Sequence, residues 1–130
     1  MRGTILAALL VASTAFAQTP PAKPEAPPAS TPGSWLPRDT ADVLVLDKVN
    51  AKATSLTLKV GQAAENASLS IALRSCETRP PDLPKDYAAY FDITDSRPGA
   101  PGFHGWMLAN EPAVSMLQHP IYDVRLVDCH

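Results

Sequence analysis

The chain has 130 residues, with 11 Lys and Arg against 13 Asp and Glu, a net charge of −2 and 45% hydrophobic residues. The charges are interspersed. There is no basic stripe of the kind that supplies most nucleic-acid affinity, and no polybasic run for anionic lipid, so nucleic acid is not an expected partner.

Residues 1–17 read as a secretory signal peptide. Met1-Arg2 gives a short positive start, GTILAALLVA is an apolar run, and small residues at Ala15 and Ala17 form an A-x-A cleavage site. The run is shorter than the roughly 20 helical residues that span a bilayer. Cleavage after Ala17 leaves Gln18 first, an exported periplasmic protein with no integral membrane segment, and a balance of −3 once Arg2 is removed. Residues 18–37, QTPPAKPEAPPASTPGSWLP, hold half of the 14 prolines. Each lacks an N–H, so this stretch reads as a flexible or polyproline II linker. Trp35-Leu36, near its end, is expected to dock on the domain that follows.

Residues 38–130 read as a single domain. Val43 to Val49 is β-branched and reads as a strand, with a turn at Asn50-Ala51-Lys52. Thr54 to Val60 alternates, with Leu56, Leu58 and Val60 on one face, and pairs with the first run as a hairpin. Ala67 to Leu73 repeats the pattern. Cys76 lies beyond it on the wrong parity, so a bulge or strand end is needed to turn it inward. Arg79-Pro80-Pro81-Asp82-Leu83-Pro84 is a rigid loop, Tyr87 to Ile93 a strand, and Asp95 to Gly102 a second loop, read as the most mobile part of the domain. Phe103 to Leu108 is a strand, with Gly105 allowing close backbone approach. Asn110-Glu111-Pro112 is expected to start a short helix with Val114 and Leu117 on one face. His119-Pro120 stops it, and Ile121 to Cys129 is the last strand, with Tyr122, Val124 and Leu126 on one side.

About six strands, one short helix before the last of them, and turn signals every eight to twelve residues predict a mainly all-β fold, a small antiparallel β-sandwich or barrel. The two cysteines, Cys76 and Cys129, in an exported chain predict a disulfide; no C-x-x-C is present to suggest redox chemistry.

The motifs Leu46-Asp47-Lys48-Val49, Arg79-Pro80-Pro81, Gly105-Trp106-Met107, His119-Pro120-Ile121-Tyr122-Asp123-Val124 and Asp128-Cys129 resemble a family of short secreted proteins of Gram-negative bacteria, known as a domain of unknown function. The resemblance spans Val43 to Cys129 and implies export and a single domain, with no reaction attached. His104 stands where that family tends to carry Ser, and Arg125 where it tends to carry Trp.

Three kinds of site are conceivable. Ser115, His119 and Asp123 could converge as a nucleophilic triad of a small hydrolase-like enzyme, though no G-x-S-x-G elbow supports it and His119 before Pro suits a structural corner. His104, His119, Asp123 and His130 have the right chemistry for zinc or copper, but at no recognised spacing, so neither a metal nor another cofactor is expected. Gly105, Trp106, Met107 and Tyr122 are the binding candidates. Trp106 is either core or a platform for a sugar ring or a protein, with Tyr87, Tyr90 and Phe103 near it. The expected function is a non-enzymatic binding module of the cell envelope, its partner an envelope protein or glycan.

Overall fold

The computed structural model describes residues 35–130. The signal peptide and all of the linker before Trp35 lie outside the described residues. Eight strands follow one another: β1 (Leu36–Pro37), β2 (Thr40–Asp47), β3 (Lys52–Lys59), β4 (Ala63–Asn66), β5 (Leu69–Thr78), β6 (Tyr87–Asp95), β7 (Phe103–Leu108) and β8 (Tyr122–Cys129). They form two antiparallel sheets. One runs β1-β5-β6-β7, with β4 also paired to β5; the other runs β3-β2-β8. The two strands beyond the predicted six are short edge pieces. β1 is the end of the proline-rich stretch itself, Leu36 and Pro37 pairing with Thr78 and Glu77. A proline is tolerated there because β1 is an edge strand.

The sheets face each other as a sandwich, and strand alternation decides what lies between them. Leu69, Ile71 and Leu73 of β5 and Ala89, Phe91 and Ile93 of β6 meet Ala41, Val43 and Val45 of β2 and Tyr122, Val124 and Leu126 of β8 in one buried cluster. β3 is an edge strand and contributes chiefly Leu58; Val60, expected on the same face, is 40% exposed. Ala67, expected in the β5 strand, instead forms the turn before it with φ +52°.

Two register shifts bring the cysteines inward. In β5 the pairing with β6 slips between Leu73 and Ser75, so Arg74 is the extra residue and Cys76 turns into the core. In β8 the pairing with β2 slips so that Asp42 faces Asp128 and Val43 faces Leu126, leaving Val127 as the extra residue and turning Cys129 inward. Each bulge reverses the alternation once. A disulfide links Cys76 to Cys129, Cα atoms 5.8 Å apart, and so ties one sheet to the other.

The expected short helix is a single 3₁₀ turn, Pro112–Val114. Asn110 does not cap it: its side chain donates to the Lys85 carbonyl and its backbone N–H to Asp86 Oδ1. Both groups are thus committed to the preceding loop. Val114 is 69% exposed, and Leu117 alone enters the core. The connection from β7 to β8 is a strap pinned by Leu117, with no amphipathic helix in it.

The disulfide closes a sequence separation of 53 residues. Replacing both Cys76 and Cys129 by Ala is expected to lower stability by about 2–4 kcal/mol in denaturant titration. An unchanged unfolding midpoint would show that the sheets hold together without the staple.

Candidate functional site

His119 lies on the strap just before β8, and its ring is almost fully buried. Nδ1 accepts the backbone N–H groups of Ile121 and Tyr122, each at 3.1 Å. A nitrogen that accepts two donors carries no proton, so the proton is on Nε2, which donates to Asp95 Oδ2 at 2.9 Å. The side chains of His119 and Asp95 are 1% and 0% exposed. Asp95 also accepts the backbone N–H of Arg97 at 2.8 Å, and the Arg97 guanidinium spans its two oxygens at 3.1 and 2.6 Å. This guanidinium, then the backbone donor and the imidazole, hold the Asp95 carboxyl well below the usual carboxylate range against the opposing effect of burial. Arg97 in turn lies over the Tyr122 ring at 5.5 Å, and Lys48 Nζ donates to the His119 carbonyl at 2.6 Å. Asp95 anchors the end of β6 to the start of β8.

This arrangement has no free base. Both imidazole nitrogens are occupied by the fold, and the partner is Asp95, not Asp123. Asp123 faces the outside of the three-stranded sheet, where its Oδ2 accepts from Arg125 Nε at 2.9 Å and the two flank Leu44 and Leu46. Ser115 follows the 3₁₀ turn in extended backbone. The three residues of the conceivable triad are not brought together. Neither are the conceivable metal ligands. His104 Nδ1 lies 2.8 Å from Asp92, and His130 Nε2 lies 3.2 Å from Asp42. Among the described residues, no three His, Cys, Asp or Glu side chains converge.

The binding candidates divide by parity. Met107 is buried at 2% exposure and Tyr122 at 6%. Gly105 faces inward beneath the Phe103 ring, which a Cβ at that position would meet at 3.4 Å. Trp106 alone points outward, 42% exposed. Opposite it on β6 is Tyr90, ring centroids 5.7 Å apart and planes at 86°. Phe103 and Tyr87 pack against the core, away from this face.

Trp35 lies across the same sheet with Arg79 stacked on its ring at 5.2 Å. Between the two tryptophans is a slot of about 210 Å³, lined by Trp35, Glu77, Ala88, Trp106 and Leu108. Its floor is Ala88, only 6% exposed yet outside the core cluster, because it is covered from the solvent side. Beside the slot, Asp92 accepts from Arg74 Nε at 2.6 Å and meets His104 Nδ1 at 2.8 Å; the hydrogen bond with His104, then that from Arg74, holds its carboxyl below the usual carboxylate range.

Sequence reasoning missed Asp95 and Arg97. A signal was present: an Asp whose side chain accepts the N–H two residues on forms an Asx turn, and Asp95-Ser96-Arg97-Pro98 has that composition. Nothing local in the sequence pairs it with His119, 24 residues away.

His119→Ala leaves two buried N–H groups and a buried carboxylate short of partners and opens a cavity, so it is expected to cost about 2–4 kcal/mol in urea unfolding. Asp95 gives the acid limb. A carboxylate whose folded pKa lies below its unfolded value adds stability that is complete above the unfolded pKa and is lost as pH falls through the folded one. Asp95→Asn should therefore flatten the decline in stability below the ordinary Asp range; an unaltered acid limb would exclude Asp95 as its source.

The family model described as an uncharacterized protein conserved in bacteria (DUF2155) matches residues 41–129. The uncharacterized protein RP359 of Rickettsia prowazekii (strain Madrid E) is 26% identical over 90 residues, which cover 67% of this chain and 58% of that protein. The chain thus spans less than two thirds of the length of this relative. No solved structure matches it. The family match runs from the first buried residue of β2 to the disulfide-bonded Cys129, the sandwich apart from β1 and Thr40, and the chain belongs to this uncharacterised bacterial family.

Proposed function

We propose that this protein is exported to the periplasm and acts there as a non-enzymatic binding module of the cell envelope, with the outer face of its larger sheet as the docking surface. The observation that carries this reading is Trp106, 42% exposed on a regular strand, backed by Tyr90 and faced by Trp35 across an open slot. A large aromatic left in water has an unused capacity to bury area, and such residues dominate binding hot spots. The rest of the reading agrees with it. The His–Asp pair is consumed by the fold, a disulfide suits an oxidising compartment, and no helix among the described residues is long and apolar enough to cross a membrane. The signal-peptide pattern of residues 1–17 supplies the route of export.

Two measurements test the reading. Mass analysis of the protein from a periplasmic fraction should find Gln18 at the N-terminus; retention of residues 1–17 in the cytoplasm would remove the export claim. A photo-crosslinking residue at exposed His104 should capture an envelope protein or glycan in cells, and Trp106→Ala should reduce those adducts by roughly 30-fold, the effect of a 2 kcal/mol hot spot. The same variant should fold, losing only about 1 kcal/mol with the Tyr90 contact. Adducts unchanged by Trp106→Ala would overturn the assignment of the face.

A further inference from the structure

Three cations that the sequence scatters, Arg38, Arg79 and Lys85, line one pocket of about 300 Å³ between the end of β1 and the β5–β6 loop. We infer that this pocket is a binding site for a phosphate monoester. It shares no lining residue with the slot between the tryptophans, so it goes beyond the binding face proposed above.

The first support is charge. The whole chain carries −2, yet among the described residues no carboxylate lines this pocket. Two carboxylates act on its cations from outside the lining. Asp86 is buried, with Oδ2 3.6 Å from the Arg79 guanidinium. Asp128 follows Tyr87 in raising the Lys85 pKa. Among the described residues Arg38 and Lys85 make no salt bridge. Three positive charges around one pocket are more than a single carboxylate balances. A phosphate monoester carries about −1.5 to −2 at pH 7 and three strong acceptor oxygens, and so matches them better. Arginine offers planar forks to phosphate oxygens, and lysine a compact point charge.

The second support is that the fold pins the backbone of all three cations. The pairing of β1 with the end of β5 brings Arg38 to the Arg79 loop, and the Arg38 N–H donates to the Cys76 carbonyl at 2.8 Å. The Arg79 N–H donates to the Asp86 carbonyl and the Leu83 N–H to the Pro80 carbonyl, each at 3.1 Å, so the loop closes on itself. Pro80, Pro81 and Pro84 fix φ within it. The Lys85 carbonyl accepts from the Asn110 side chain at 2.7 Å. Asp86 Oδ1 accepts the backbone N–H groups of Tyr87 and Asn110 at 2.8 and 3.1 Å, which anchors the end of the loop. Charges on a frame already in place lose less entropy when a ligand arrives.

The third support is the rest of the lining. Pro80, Pro81 and Leu83, the last 46% exposed, give the pocket an apolar wall. A bare inorganic anion gains nothing from such a wall, whereas the organic group that carries a phosphate can pack on it.

The test titrates the full chain at low salt, where charge interactions are least screened. NMR follows the guanidinium Nε–H signals of Arg38 and Arg79 and the backbone amides of Arg79, Leu83 and Lys85. Glucose 1-phosphate should shift them saturably, inorganic phosphate more weakly, and acetate without saturation. Arg38 and Lys85 are exposed, so Arg38→Gln and Lys85→Gln should keep the unfolding midpoint. Each should weaken binding of glucose 1-phosphate roughly tenfold, the loss expected for one charge-assisted hydrogen bond. Trp106→Ala should bind it as the unmodified protein does, so the pocket and the tryptophan face stand or fall separately. A second arm separates the sources of the phosphate. Flotation with phosphatidylcholine vesicles that contain phosphatidic acid, lost without that lipid and lost in Lys85→Gln, would assign the site to a lipid headgroup. Binding of glucose 1-phosphate without flotation would assign it to a soluble saccharide phosphate. Inorganic phosphate binding as tightly as glucose 1-phosphate would overturn the monoester in favour of a bare anion. The site itself is overturned if neither arm responds, if acetate reproduces the response, or if both substitutions leave binding unchanged.

Discussion

The sandwich depends on how its strap is fastened. The last strand, β8, sits in the sheet opposite β7 and must be delivered there by residues 109–121, which form a single 3₁₀ turn and little regular pairing. The bond from His119 Nε2 to Asp95 Oδ2 fastens the end of that strap to the end of β6. A neutral imidazole suits the task. One nitrogen terminates a buried carboxylate, and the other satisfies the two backbone N–H groups that open β8. Arg97 supplies the counter-charge that allows Asp95 to be buried at all. Without that set, four polar groups would be stranded beside the core at once, each costing more than an ordinary hydrogen bond returns.

At the other end of the same interface the staple does comparable work by covalent means. The disulfide requires Cys76 and Cys129 to face inward, and simple alternation from Leu73 or from Leu126 faces them elsewhere. Arg74 and Val127, one extra residue in each strand, correct both. The excess at position 74 also has a use on the surface, where Arg74 pairs with Asp92 beside the aromatic face. The architecture that holds the core thus sets what the outer sheet presents.

Much of this was legible in the chain. Alternation located all six long strands, and the parity of Cys76 against the β5 leucines already required a bulge or a strand end; the structure has the bulge. The helix was misread because Asn110 and Pro112 satisfy capping statistics, while the groups that claim Asn110, the Lys85 carbonyl and Asp86, come from a distant loop. His119 reads from the sequence as a structural corner whose ring bonds a backbone carbonyl or Asp123, four residues on; its partner is Asp95. His119 precedes β8, and Asp123 is one position from inward-facing Tyr122, so its side chain is on the outer face. Sequence proximity misled, whereas Asp95 looked like a solvated loop residue. Trp106 could not be assigned from sequence, since core and surface tryptophans have the same neighbours along a strand. Its exposure became readable only once Met107 was seen to take the inward position.

The central claim is that the histidine that most invites a catalytic role is a structural clamp, and the proposed function rests on the tryptophan face instead. Nitrogen-15 NMR of the histidine rings addresses it directly. The account predicts that His119 is a single neutral tautomer protonated at Nε2, its N–H exchanging slowly with water and coupled across a hydrogen bond to Asp95. A His119 ring that interconverts between tautomers and exchanges its proton freely would contradict it, and would return the strap to consideration as a reactive site.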